Sequence, residues 1–125
     1  MPNTDCNIDF NTYTNVNINT NQYSGTGGQS DTAQGAVAGF DGLGKSIIAC
    51  YATAKGGTLS TIVPTLSEGR AVTLHRAFVD HVVTEYGVAK LRGRTVKERT
   101  QALIRIAAPA FREDLMSQAR KLGYI

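Results

Sequence analysis

The chain has 125 residues, 42% of them apolar and 18% charged, a composition that suits one soluble globular domain. No apolar run approaches the roughly 20 residues a membrane helix needs, and "MPNTDCNIDF" lacks a basic stretch followed by an apolar one, so neither an anchor nor a secretory leader is expected. The net charge of +3 is uneven: four aspartates against Lys45 leave −3 in residues 1–45, and twelve cations against six acids leave +6 in residues 46–125.

A basic second half favours an anionic ligand. RNP-type aromatics, a zinc finger and a helix-turn-helix signature are all missing from the sequence, so nucleic acid is not an expected partner. Cys6 and Cys50, the two cysteines, stand in no metal-ligand or redox spacing and read as free thiols in a reducing cytosol. His75 and His81 have no ligand set around them, and no metal site is expected.

In chain order, residues 1–22 form an opening segment rich in Asn and Thr. In it "NIDF" and "NVNINT" alternate apolar and polar residues, the period of a half-buried strand. Residues 23–36, "YSGTGGQSDTAQGA", concentrate Gly25, Gly27 and Gly28 in four positions and add Gly35. Each glycine costs conformational entropy on folding. Either the backbone turns sharply here or something comes very close to it. A loop of small residues between a strand and a helix presents N–H groups to oxyanions, but the spacing is neither a Walker loop nor a G-x-G-x-x-G fingerprint. "DTAQGAVAGF" then reads as a weak helix capped by Ser30 or Asp31 and interrupted by Gly35 and Gly39.

Residues 46–87 read as a sheet. "KSIIACYATA" fits a buried strand and "GGTLSTIVP" a second one joined to it as a hairpin or meander; "RAVTL" offers a third, and "DHVVTEYGVA" a fourth that Gly87 ends. Glu85 then sits at the carboxyl end of a strand, where open α/β sheets place their sites. Arg92 and Arg94 precede a helix N-terminus, whose dipole disfavours cations unless an anion joins them. The alternative is that both arginines simply point into water. Residues 95–123 read as two helices. Thr95 and Glu98 make a capping box, Pro109 separates the helices, Phe111, Leu115, Ala119 and Leu122 form a stripe, and Gly123 is the stop.

"SGTGGQSDTAQGA", "STIVPTL" and above all "VVTEYGVAKLRGRTVKERTQALIRIA" resemble the C-terminal part of the acetyl-CoA hydrolase/4-hydroxybutyrate CoA-transferase family, over roughly residues 15–123. "NVNINT" and "GGQSDTAQGA" also resemble the sibling citrate lyase α-subunit. The first resemblance implies an open mixed α/β sheet with flanking helices, a single partial domain over 1–125. It implies transfer of CoA between an acyl-CoA and a carboxylate through a glutamyl-CoA thioester, or hydrolysis of the thioester. No permanently bound cofactor is implied; coenzyme A is a substrate. The nucleophilic glutamate is not in this chain, which points to a missing N-terminal domain or partner subunit, and to a cytoplasmic homo-oligomer when complete. By the resemblance, backbone N–H groups of Gly27 and Gly28 belong to the oxyanion hole. Gly25, Gln29, Lys45, Glu85, Arg92 and Arg94 are the candidate CoA and substrate contacts. Thr32, Gln34, Thr61 and Ala108 depart from residues usual in the family, which bears on substrate contacts. A non-catalytic interaction module is the rival reading from another class.

Overall fold

A computed structural model describes residues 6–10, 14–16, 29–70 and 72–125, with the side chains of 14–16 and of Gln29 outside the description. The strands are β1 (Cys6–Asp9), β2 (Thr14–Val16), β3 (Ile47–Ala49), β4 (Thr53–Ala54), β5 (Leu59–Ser60), β6 (Ile62–Val63), β7 (His81–Thr84) and β8 (Gly87–Lys90). The α-helices are α1 (Gln29–Val37), α2 (Val96–Ile106) and α3 (Pro109–Lys121). Among the described residues this is the mixed α/β architecture the sequence implies, and it ends in two helices.

Three small sheets carry the strands. One has the order β2-β1-β6, antiparallel on one side of β1 and parallel on the other. The second has the order β3-β7-β8, with Ile48 opposite Val82 in a parallel pair and Val83 opposite Val88 in an antiparallel one. The third is the β4-β5 hairpin. Helix α2 packs on β8 and β7, and α3 packs on α2. The core joins these layers: Ile8, Phe10, Ile62, Val82, Leu91 and Leu103 are all at most 1% exposed. Burying a side chain of Leu size contributes about 1.5–3 kcal/mol, so this cluster drives the assembly.

The C-terminal helices follow their local chemistry. Thr95 Oγ1 accepts from the Glu98 N–H, and the Glu98 carboxylate accepts from the Thr95 N–H at 2.8 Å, a complete capping box. Pro109 opens α3, where a missing N–H costs nothing. At its end the Gly123 N–H reaches Arg120 O and the Tyr124 N–H reaches Ala119 O, the paired bonds of a Schellman motif closed by a left-handed Gly123 (φ +73°). The motif folds Tyr124 back so that its ring meets Phe10 edge-on, with centroids 6.4 Å apart. Leu122 does not complete the apolar stripe. It is the C-cap and is exposed, while Tyr124 and Ile125 pack against the core in its place.

Other expectations change in the folded chain. "DHVVTEYGVA" is two strands, not one: Gly87 pairs with Thr84 and opens β8, and Glu85–Tyr86 is the turn between them. The Tyr86 N–H donates to Thr84 Oγ1 at 3.1 Å, and Gly87 takes φ +144°, a conformation side chains avoid. "RAVTL" yields no strand over its described residues beyond a single bridge at Leu74. His75 Nδ1 accepts from the Ala77 N–H instead and turns the chain into a 3₁₀ turn, Arg76–Phe78. β3 is buried on one face only, with Ile48 inside and Ile47 58% exposed. "GGTLSTIVP" is broken at Thr61, so β5 pairs with β4 while β6 joins β1. Helix α1 starts at Gln29, so Ser30 and Asp31 lie in its first turn and do not cap it.

Candidate functional site

Helix α1, the segment leading into β3, the residues after β3 and the end of β7 enclose a cavity of about 1110 Å³. Small side chains of α1, among them Thr32, Ala33 and Ala36, form one wall. Lys45, Cys50, Thr61 and Glu85 bring polar groups to it. The volume is that of a site for an extended small molecule.

Close backbone approach shapes this wall. A Cβ placed on Gly44 would lie 1.9 Å from the Ala36 carbonyl oxygen at the end of α1. No side chain fits there, so Gly44 is what lets the chain turn under α1 and present Lys45 at the rim. The Ser46 carbonyl then accepts from the His81 N–H at 3.0 Å and registers β3 against β7.

The Glu85 turn is held from three directions. Both carboxylate oxygens accept from the Ala52 N–H, each at 3.1 Å. Thr84 Oγ1 donates to the Ile106 carbonyl at 2.6 Å, tying the turn to the end of α2. The Arg112 guanidinium lies 5.6 Å over the Tyr86 ring while its Nε donates to Ala107 O at 2.9 Å. The two C-terminal helices therefore help to fix the turn that carries this carboxylate. On the opposite wall Thr61 Oγ1 donates to Tyr51 O at 2.7 Å.

The candidate residues divide. Lys45 and Glu85 share the cavity. Gln29 begins α1, the helix that lines it, although its side chain lies outside the described residues. Gly25, Gly27 and Gly28 lie outside the described residues altogether. Arg94 lines a separate hollow of about 330 Å³ with Lys90, Glu98 and Arg105. Its guanidinium stands 3.8 Å from Glu98, and its carbonyl accepts from Arg99 Nε at 2.9 Å. Arg92 is exposed on the turn before α2 and lines neither hollow. The cation at this helix N-terminus is thus offset in part by a carboxylate of the same helix. Hydrogen bonds from the Thr95 N–H and hydroxyl, with a smaller contribution from Arg94, hold the Glu98 carboxyl below its ordinary range.

Sequence reasoning gave no role to Gly44 or to the cysteines, which also meet at this cavity. Gly44 carries no local signal, because its need comes from a helix end eight residues earlier. The cysteines are brought together by parallel pairing of β1 with β6, which leaves no mark on either segment alone. Among the described residues no group of three or more His, Cys, Asp or Glu gathers to hold a metal, and no helix is long and apolar enough to cross a membrane.

Residues 2–119 match the sequence model of the family described as the acetyl-CoA hydrolase/transferase C-terminal domain. The chain is 51% identical over 104 residues to the succinyl-CoA:cyclohexane-1-carboxylate CoA transferase of Geobacter metallireducens, a stretch that covers 83% of this chain and 23% of that protein. It is also 51% identical over 104 residues to the 4-hydroxybutyrate coenzyme A transferase of Clostridium kluyveri, covering 83% of this chain and 24% of that protein. The crystal structure of RipA from Yersinia pestis matches with a TM-score of 0.79 at 34% identity, over 95% of this chain and 25% of that one. The chain therefore spans about a quarter of the length of these relatives.

Proposed function

The chain belongs to the acetyl-CoA hydrolase/transferase C-terminal domain family, and from that premise we propose that it is the C-terminal segment of an enzyme moving CoA between an acyl-CoA and a carboxylate. The observation that carries this reading is sustained identity to two proteins named CoA transferases across 83% of the chain. In it, the enzyme passes through a glutamyl-CoA thioester whose glutamate lies in a part of the protein outside this chain. A carboxylate nucleophile splits one difficult transfer into two easier ones. The coverage of about a quarter of each relative supports a missing N-terminal domain or partner subunit, and we place the complete enzyme as a cytoplasmic homo-oligomer.

Each chain residue has a chemical task in this reading. Acyl transfer builds negative charge on a carbonyl oxygen, and preorganised N–H donors stabilise it without reorganising. Gly27 and Gly28 supply those donors from the stretch that leads into α1. Their lack of side chains lets the thioester come within hydrogen-bond range. Gly25 and Gln29 contact the CoA substrate in this reading. Lys45, exposed at the cavity rim, offers a charge to the phosphates of CoA. Glu85, exposed on the cavity wall and pinned by the Ala52 N–H, contacts the thioester end of the substrate. Arg92 and Arg94 extend the anion-binding surface outward.

The test is Gly28→Val in the complete enzyme. Loss of one oxyanion donor costs about 2.7–4 kcal/mol of barrier, a fall in turnover of about 10²–10³-fold, with the circular dichroism spectrum unchanged. Turnover equal to that of the unsubstituted enzyme refutes the placement. The same assay run with and without a carboxylate acceptor separates transfer from hydrolysis: the transferase reading requires release of product to depend on the acceptor.

A further inference from the structure

Cys6 and Cys50, the two cysteines of the sequence, meet on the wall of the large cavity. β1 runs parallel to β6, with the Ile8 N–H donating to Thr61 O at 3.0 Å. Thr61 in turn bonds the segment between β3 and β4 through Tyr51 O and Ala52 O. These ties bring Cys6, on β1, against Cys50, just beyond β3, although the two strands belong to different sheets. The two sulfurs are neighbours within hydrogen-bond reach, and Thr61 lines the same wall. The two are not joined in a disulfide. Cys6 is buried and Cys50 is half-buried.

Their environments differ in a chemically useful way. The neighbouring Cys6 thiol holds the Cys50 thiol below its ordinary value, against its burial and the Glu85 carboxylate. Cys6 is pushed well above its ordinary value by the bond it gives to Cys50, by burial and by the neighbouring sulfur charge. The thiolate is the nucleophile in thiol–disulfide exchange. Cys50, half-buried on the cavity wall, is the sulfur an entering disulfide reaches, and the buried Cys6 beside it is the one left to resolve.

We propose that Cys50 and Cys6 form a thiol–disulfide exchange site on the cavity wall, with Cys50 the attacking sulfur, Cys6 the resolving one, and a low-molecular-weight disulfide the oxidant. This site rests on the geometry of the wall and does not require the CoA reading. In the first step the Cys50 thiolate attacks one sulfur of the oxidant. A Cys50–S bond forms, the S–S bond of the oxidant breaks, and one small thiolate leaves and takes up the proton Cys50 has lost. In the second step Cys6 attacks the Cys50 sulfur, the mixed disulfide breaks, and the second small thiol leaves with the Cys6 proton. The pair has lost two electrons and two protons, and the oxidant has become two thiols. The product bond staples β1 to the end of β3 across the cavity wall.

The test incubates the 125-residue chain with glutathione disulfide and follows intact mass with time. The unsubstituted chain gains one glutathionyl group transiently and ends lighter by two hydrogens, and peptide mapping then finds Cys6 linked to Cys50. The Cys6→Ser and Cys6→Ala variants stop at a persistent adduct on Cys50. Cys50→Ser gives neither species. The proposal is overturned if the unsubstituted chain keeps its adduct as long as the Cys6 variants do. It is equally overturned if the folded unsubstituted chain stays unmodified while the same chain in urea reacts. Both decisive outcomes are read on the unsubstituted chain, so they hold even if a variant fails to fold.

Discussion

At the scale of single residues, the two glycines that matter most to the described structure do different jobs. Gly87 supplies a backbone conformation for the hairpin, whereas Gly44 supplies empty space beneath the Ala36 carbonyl. An alanine at 44 has to displace backbone, not the end of a flexible side chain. Gly44→Ala is expected to destabilise the chain by about 1–3 kcal/mol, the cost of overpacking, and to shift α1 away from β3. Urea unfolding measures this. An unchanged midpoint means that α1 and the Gly44 segment are not in contact. Glycine content alone pointed to residues 25–28, and a lone glycine before a lysine gave no hint of such a contact. The hidden information is tertiary: it lies in where a helix ends, not in the residues around Gly44.

Among the elements, α2 is the most fully specified by its own sequence. The capping box of Thr95 and Glu98 was legible from spacing alone and is present with both reciprocal bonds. Removing the Thr95 hydroxyl with Thr95→Ala should cost about 1 kcal/mol. The pH dependence follows from the sign of the Glu98 shift. Its folded-state pKa lies below the ordinary 4.5, so its contribution is present above that value and is lost as pH falls through the folded value. Between neutral pH and pH 5 the cap is therefore expected to be insensitive to pH, and below that it weakens. Thermal melts of the unsubstituted chain and Glu98→Gln should converge as the pH falls. A constant gap between them down to the acid limit contradicts the assignment. β-structure was less legible. The β7-β8 hairpin looked like one strand because "HVVTEYGVA" carries no Asn-Gly or Asp-Gly turn, and its reversal depends on Thr84 and Gly87 acting together. The two halves of "TLSTIVP" go to different sheets, a partition set by long-range pairing with β1 and β4 that no local pattern encodes.

Across the whole molecule, the helices at the C-terminal end hold the turn at one end of the cavity. Arg112 and the Ile106 carbonyl hold the turn that carries Glu85, and Glu85 in turn fixes the Ala52 segment. The family was legible because these long-range demands impose an ordered motif, "VVTEYGVAKLRGRTVKERTQALIRIA", that runs from sheet to helix without a break. The described candidate residues do not share one place. Lys45 and Glu85 line one cavity from opposite ends of the parallel β3-β7 pair, while Arg94 belongs to another hollow, since a helix N-terminus placed next in sequence need not point the same way in space. The central claim is that the cavity beside α1 accepts coenzyme A, and calorimetric titration of CoA into the 125-residue chain tests it most directly. The account predicts saturable binding that Lys45→Ala weakens about tenfold, the loss of roughly 1.4 kcal/mol expected for one phosphate contact. A titration without heat at concentrated protein and ligand, or binding that is equally tight in the Lys45→Ala variant, would contradict it.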